Sequence, residues 1–301
     1  MKDPRRATSL ECVVPHARVR AAYDVAMTDP FIIAGAIASA PVVLDAYKRL
    51  LGPSLDLLGD GIKAGLANRR SNIHKVAARA DAKADTDEPG AIPSRVAAEV
   101  FDKAQWADDE FVAEYLSGVL ASSRSVDGRD DRGIVWTSLV GRLSADALRL
   151  HYAVYSALRA KVRGQDVDVM AHWTRRQLVF NYYELLPGLE FGFGDAGIRR
   201  LLDAAYVLER EGLLASMTHG SADHFTGLPY RKYELPRLGD IFITATTIEG
   251  CHLFLQGHGH GGVWAGAIAD IDRTFDNWPD VAPSFSSIPV VWLDELPPKA
   301  G

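Results

Sequence analysis

Residues 108–123 read Asp108-Asp109-Glu110-Phe111-Val112-Ala113-Glu114-Tyr115-Leu116-Ser117-Gly118-Val119-Leu120-Ala121-Ser122-Ser123, and their reading decides the fold class. Three acids stand where a helix would begin, at the positive end of its dipole. Phe111, Tyr115, Leu116, Val119 and Leu120 follow at i, i+4, i+5, i+8 and i+9, which is one face of a helical period. Upstream, Ile92-Pro93-Ser94 offers another helix start, with Val96, Val100, Phe101 and Ala104 as its stripe. Downstream come Val135, Trp136, Leu139, Val140 and Leu143, then Leu148, His151, Tyr152, Tyr155 and Leu158, the last helix opened by Ser144 as N-cap. Short links join these stretches, so they predict an antiparallel helical assembly.

Toward the N-terminus, Val43, Ala46, Tyr47, Leu50, Leu51, Leu57, Leu58, Ile62 and Leu66 continue the helical spacing. Gly52-Pro53 predicts a bend there, and Gly61 and Gly65 predict a close helix contact. The uncharged run around residues 31–44 is shorter than the roughly 20 apolar residues a spanning helix needs, and Pro41 interrupts it, so it reads as a buried core helix. Residues 77–90 are alanine-rich without a large apolar anchor and read as a solvated helix end or linker.

Beyond residue 165 the text changes. Residues 165–195 hold Trp173, Phe180, Tyr182, Tyr183, Phe191 and Phe193 and read as a connecting region. Asp195 then caps a helix through Ile198, Leu201, Leu202, Ala205, Tyr206 and Leu208, which Gly212 ends. An apolar strand, a polar loop (216–228), a second strand (230–235), a third (240–247) and a helix around Cys251–Leu255 follow. That is the order of a winged helix. The expected architecture is mainly α: a flexible basic arm (1–20), a helical domain (21–165), a small winged-helix-like α/β domain (166–260) and an aromatic, Gly/Pro-rich C-terminal segment (261–301) that docks through Trp264, Trp278 and Trp292.

Composition narrows the function. With Lys+Arg 33 against Asp+Glu 39, the net charge of -6 supplies no global field to gather nucleic acid. Two cysteines, Cys12 and Cys251, build no disulfide framework, and the N-terminus lacks the apolar core of a secretory signal, so a cytoplasmic location is expected.

Two stretches together resemble the Abi-alpha (abortive-infection alpha) family. Ile92-Pro93-Ser94-Arg95-Val96-Ala97, Asp108-Asp109-Glu110-Phe111 and Tyr115–Ser123, followed by Leu143-Ser144, match its helical domain. Leu208-Glu209-Arg210-Glu211-Gly212-Leu213 is similar to the helix exit that commonly precedes its winged portion. The resemblance covers roughly residues 25–255. Gly118-Val119-Leu120 departs from the family's leucine-rich turn, and residues 256–301 have no counterpart. The resemblance implies a role in phage defence or stress and carries no catalytic residues.

The densest polar patch holds Arg124, Asp127, Arg129, Asp130, Asp131 and Arg132. Paired aspartates there could hold a divalent cation and the arginines a phosphate, but the opposite charges cancel, which favours a salt-bridged turn. His258 and His260, in a glycine-rich run, are the metal candidates, although no second ligand pair stands at zinc-finger spacing. Gly192 and Gly194 hint at a dinucleotide loop without the βαβ frame. Neither a nucleophile elbow nor a nucleotide loop is present. On the winged portion, Arg199, Arg200 and Arg210 are offset by Asp203, Glu209 and Glu211, which disfavours DNA. The expected function is therefore a non-enzymatic interaction or effector protein with no cofactor, binding a protein partner or itself as a homo-oligomer. A DNA-binding regulator is the alternative, with membrane contact through 31–44 and metal-dependent catalysis behind it.

Overall fold

The computed structural model describes residues 54–84, 90–165, 176–227, 229–235, 239–278 and 288–298. The basic arm, the apolar run 31–44 and the bend expected at Gly52-Pro53 lie outside them. The chain divides into two units, 1–65 and 66–301. Of the first, only the opening turns of α1 (Ser54–Lys83) are described. Among the described residues a Cβ added at Gly65 would meet no atom within 4 Å.

In the second unit, α2 (Ser94–Ala104) buries Val96, Val100 and Ala104 along one stripe. The helix expected from the opening quotation is α3 (Glu110–Ser122), capped by the Asp109 carboxylate, which accepts from the Phe111 amide at 2.9 Å. Phe111 and every residue from Ala113 to Ala121 are buried, on all faces rather than on one stripe. After α4 (Gly133–Val140) comes α5 (Ala145–Val162), where Ser144 Oγ accepts from the Ala147 amide at 3.1 Å.

A strand opens the stretch that reads as a connector. β1 (Gln177–Asn181) leads directly into a short α6 (Tyr182–Gly188), capped by Asn181, and a tight turn leads to α7 (Asp195–Arg210). The cap of α7 is Gly194, not Asp195, because the backbone there has a φ of 81°, which glycine adopts without a Cβ penalty. Past Gly212 the Leu213 amide bonds back to the Leu208 carbonyl at 2.8 Å, closing the helix with glycine as expected.

β2 (Leu214–Ser221), β3 (Asp240–Thr246) and, near the C-terminus, β4 (Val290–Trp292) complete an antiparallel sheet of order β2-β3-β1-β4. Residues 230–235 do not form the strand expected of them. Pro229–Lys232 is a 3₁₀ turn, and Tyr233 makes one isolated bridge to Pro298. Strand alternation divides the sheet's side chains between two cores. Leu178, Phe180 and Phe242 join the helices, while Val179, Ile241 and Ile243 pack with Phe225, Leu235 and Leu293.

α8 (Ile248–Gly257), capped by Thr247, runs through the middle of the helices. A Cβ at Gly118 of α3 would lie 1.9 Å from the Gly257 carbonyl oxygen, so glycine is what lets α3 and α8 cross so closely. Tyr155 of α5 ties the sheet side to α8: its hydroxyl donates to the Leu213 carbonyl at 2.6 Å and accepts from the Thr247 amide at 2.9 Å. One apolar cluster extends from Val76 to Trp292, so the helices before residue 165 and the elements after it share a core. The C-terminal segment docks by its aromatics as expected for Trp278 and Trp292, both buried, whereas Trp264 stays 61% exposed. Among the described residues no helix is long and apolar enough to cross a membrane.

Candidate interaction surface

The turn between α6 and α7 is built from unusual backbone. Glu190, Gly192 and Gly194 have φ values of 60°, 76° and 81°. A Cβ at Gly197 would lie 2.1 Å from the Gly192 carbonyl oxygen, so the turn presses onto the first turn of α7. The two glycines thus link helix to helix, where a dinucleotide loop would follow a strand. Three aromatic side chains stand exposed here: Tyr183 on α6, Phe193 in the turn (67%) and Tyr206 on α7 (56%).

On α7 the exposed positions Arg199, Asp203, Tyr206 and Arg210 fall at i, i+4, i+7 and i+11, forming one outward stripe. Arg200, beside it, is fully engaged. Its guanidinium donates to both Asp146 oxygens, at 2.8 and 2.6 Å, reaches the Glu190 carbonyl at 3.3 Å, and lies 4.5 Å from the Phe191 ring centroid. Arg210 pairs with Glu211 at 3.0 Å, and Glu211 also takes Arg142 at 3.0 Å. The hydrogen bond from Arg142 leads the causes that hold the Glu211 carboxyl below its ordinary range. Arg199 alone of the three α7 arginines makes no ion pair among the described residues. In the stretch that a winged protein would extend toward a ligand, Phe225 and Leu235 are buried instead against the sheet's outer face.

The polar patch is the loop between α3 and α4. Asp127 accepts from Ser125 Oγ at 3.2 Å and from the Arg129 amide at 3.1 Å, shaping the turn around Gly128. Asp130 is clamped by the Arg132 side chain and backbone, whose hydrogen bonds lower its carboxyl pKa. Asp131 pairs with Arg95 at 3.0 Å, and Arg124 reaches the Gly90 carbonyl at 3.4 Å. Arg129 is exposed with no ion pair among the described residues. Asp130 and Asp131 are thus ion-paired, and Asp127 is engaged in shaping its own turn.

His258 and His260 point to different partners. The His258 Nδ1–H donates to Asn277 Oδ1 at 2.6 Å, and the ring stacks on Trp278 with centroids 4.8 Å apart. Its Nε2 is buried without a hydrogen-bond partner, and burial holds the imidazole pKa well below the usual value. His260 donates from Nε2 to the Thr274 carbonyl at 3.0 Å. Among the described residues no group of three His, Cys, Asp or Glu side chains is placed to hold a metal. Cys251 is buried, which raises its thiol pKa, leaving little thiolate for nucleophilic work.

The feature that reading by residue type misses is a buried ion pair. Lys83 and Glu114 have side chains only 1% exposed and meet at 2.5 Å. The ammonium also donates to Ser117 Oγ at 2.9 Å, the Glu114 carbonyl at 2.9 Å and the Gly257 carbonyl at 3.1 Å, and lies 4.8 Å from the Trp278 ring centroid. Burial lowers the Lys83 pKa to about 8 against the opposing pull of Glu114. Residues 77–84 are therefore not a solvated linker: α1 continues to Lys83 and docks through it. The available signal was Glu114 itself, a carboxylate in the middle of a helix apolar on all sides.

A second buried polar chain runs through α3, α5 and α8. Tyr115 donates its hydroxyl to His151 Nδ1 at 2.5 Å, and His151 Nε2–H donates to the Gly250 carbonyl at 3.1 Å. Burial depresses the His151 pKa to about 3. These groups are satisfied and enclosed, so they specify packing.

Comparison with models of known families gives no match, and neither curated proteins nor solved structures give a significant one.

Proposed function

We propose that this chain is a non-enzymatic interaction or effector protein similar to the Abi-alpha family, acting in the bacterial cytoplasm in defence against phage or in stress. Its partner is a protein, either another chain or a second copy of itself. The order α5-β1-α6-α7-β2-β3, with strands arranged β2-β3-β1, supports a winged-helix-like reading in which α7 takes the place of the recognition helix. The observation that carries the choice of partner is the outward stripe of α7. It offers Tyr206 between charges of both signs, with Arg200 and Arg210 already bound to carboxylates. Nucleic acid is gripped by cations that neutralise phosphates, whereas exposed aromatics beside mixed charge suit protein contacts.

The test is phage challenge of cells that carry the wild-type gene, Y206D or R199E. Protection by the wild type that is lost in Y206D at equal protein level supports the reading. Equal plaque counts with and without the gene, across a broad phage panel, would overturn the defence role. Unchanged protection in Y206D and R199E would overturn the role of α7. A DNA-binding regulator stays the second reading because Arg199, on the helix taken as the recognition helix, is exposed and makes no ion pair among the described residues.

A further inference from the structure

Lys75, Arg79 and Lys83 fall four residues apart along α1, and Glu110 and Glu114 fall four apart along α3. The two rows interlock. Lys75 meets Glu110 at 2.9 Å, Arg79 meets Glu110 at 2.6 Å and Glu114 at 3.2 Å, and Lys83 meets Glu114 at 2.5 Å. Asn72 extends the row by donating to Asp108 at 2.8 Å. Apolar burial on α1 is meagre by comparison. Among its described side chains Val76 and Ala80 are buried and Ile73, with Ala84 just past its end, is half-buried against the core, while Leu66 is 49% exposed. Helices α3 and α5, by contrast, bury Phe111, Tyr115, Leu116, Leu148, Leu150 and Tyr155.

We propose that residues 72–84 are a detachable cover, held on α3 by charge more than by apolar burial, whose release bares Glu110, Glu114 and the ammonium seat between α3 and α8. Elements with few buried apolar contacts open at lower free energy than the core they lie on. The seat gives this opening a definite threshold. Glu114 is neutralised there by Lys83 and Arg79 together, and an unpaired carboxylate does not stay buried. Lifting α1 therefore admits water to Glu114, Ser117 and the Gly257 carbonyl in one step. What is bared is an acid-lined groove whose proven occupant is a basic helix, α1 itself.

Hydrogen–deuterium exchange on the full chain, followed peptide by peptide, tests this. The expected result is that residues 72–84 exchange about tenfold or more ahead of α3 and α5. The double variant E110Q/E114Q should accelerate residues 72–84 further, leaving α5 unchanged. Raising sodium chloride from about 0.05 M to about 0.5 M should move the wild type the same way, because the half-exposed pairs at Glu110 are screened. Protection of residues 72–84 equal to that of α3 and α5 would overturn the proposal, as would acceleration of α1, α3 and α5 together. Should the double variant fail to fold, the wild-type salt series decides alone: acceleration confined to residues 72–84 supports the cover, and a uniform or absent response refutes it.

Discussion

Lowering the pH from 7 to 5 should destabilise the fold, with His151 as a principal cause. The folded-state pKa of about 3 lies below the ordinary value of 6.5 because the ring is fully buried, with the Gly250 carbonyl pulling weakly the other way. Below pH 6.5 the unfolded chain takes up a proton that the folded chain refuses, so stability falls with pH through that window and levels off near pH 3. At roughly 1.4 kcal/mol per pH unit, the full effect is about 5 kcal/mol, and about 2 kcal/mol of it is already lost at pH 5. His258, also buried and also depressed, adds a loss of the same sign. The assay is urea unfolding followed by tryptophan fluorescence at pH 7 and pH 5, for the wild type and for H151Q, which keeps one donor and one acceptor between Tyr115 and Gly250. H151Q should be less stable at pH 7 but should lose about 2 kcal/mol less on acidification. Equal losses in both proteins would refute the assignment of the acid sensitivity to His151.

Other substitutions probe the architecture. G118A forces a Cβ to within 1.9 Å of the Gly257 carbonyl oxygen and should cost about 3 kcal/mol in denaturant unfolding; a cost near zero would mean α3 and α8 do not cross so closely. W278A should cost about 4 kcal/mol, because Trp278 stacks on Tyr152 at 4.6 Å and donates to the Gly257 carbonyl at 3.2 Å; a neutral result would show the C-terminal segment to be dispensable to the core. D130N should change stability by less than about 0.5 kcal/mol, since its clamp to Arg132 sits in a solvent-facing loop, and a larger loss would give that loop a role beyond its own turn.

The helical half was legible because its signals are local. Asp109, Ser144 and Gly212 act on amides or backbone angles within a few residues, and the stripes of α2 and α5 follow the helical period. The burial of α3 on every side was not legible as one face, since Ala113, Ser117 and Gly118 are small rather than apolar and mark close approach by other helices. β1 was obscured by its neighbours: Gln177–Asn181 runs straight into α6, and five residues without a flanking turn leave no periodicity to read. Residues 230–235 carry strand-forming tyrosines, but Tyr230 and Tyr233 pack against the sheet's outer face, and Tyr233 makes only an isolated bridge to Pro298. Among the sites, the Asp130–Arg132 clamp and the Asp127 turn could be read from the sequence because their partners are two residues away, whereas Asp131 takes Arg95 from 36 residues upstream, a partner only the fold supplies. The Lys83–Glu114 pair spans 31 residues and depends on a helix crossing, so only the folded chain brings it together.

The proposal that α7 meets protein rather than nucleic acid rests on Arg200 and Arg210 being bound to carboxylates, which leaves Arg199 alone of the three without an ion pair among the described residues. Fluorescence anisotropy with duplex DNA of mixed sequence, across a salt series, measures this directly. Weak binding that R199A/R200A leaves unchanged is the expected result. Tight binding that weakens steeply with salt and disappears in that double variant would contradict it.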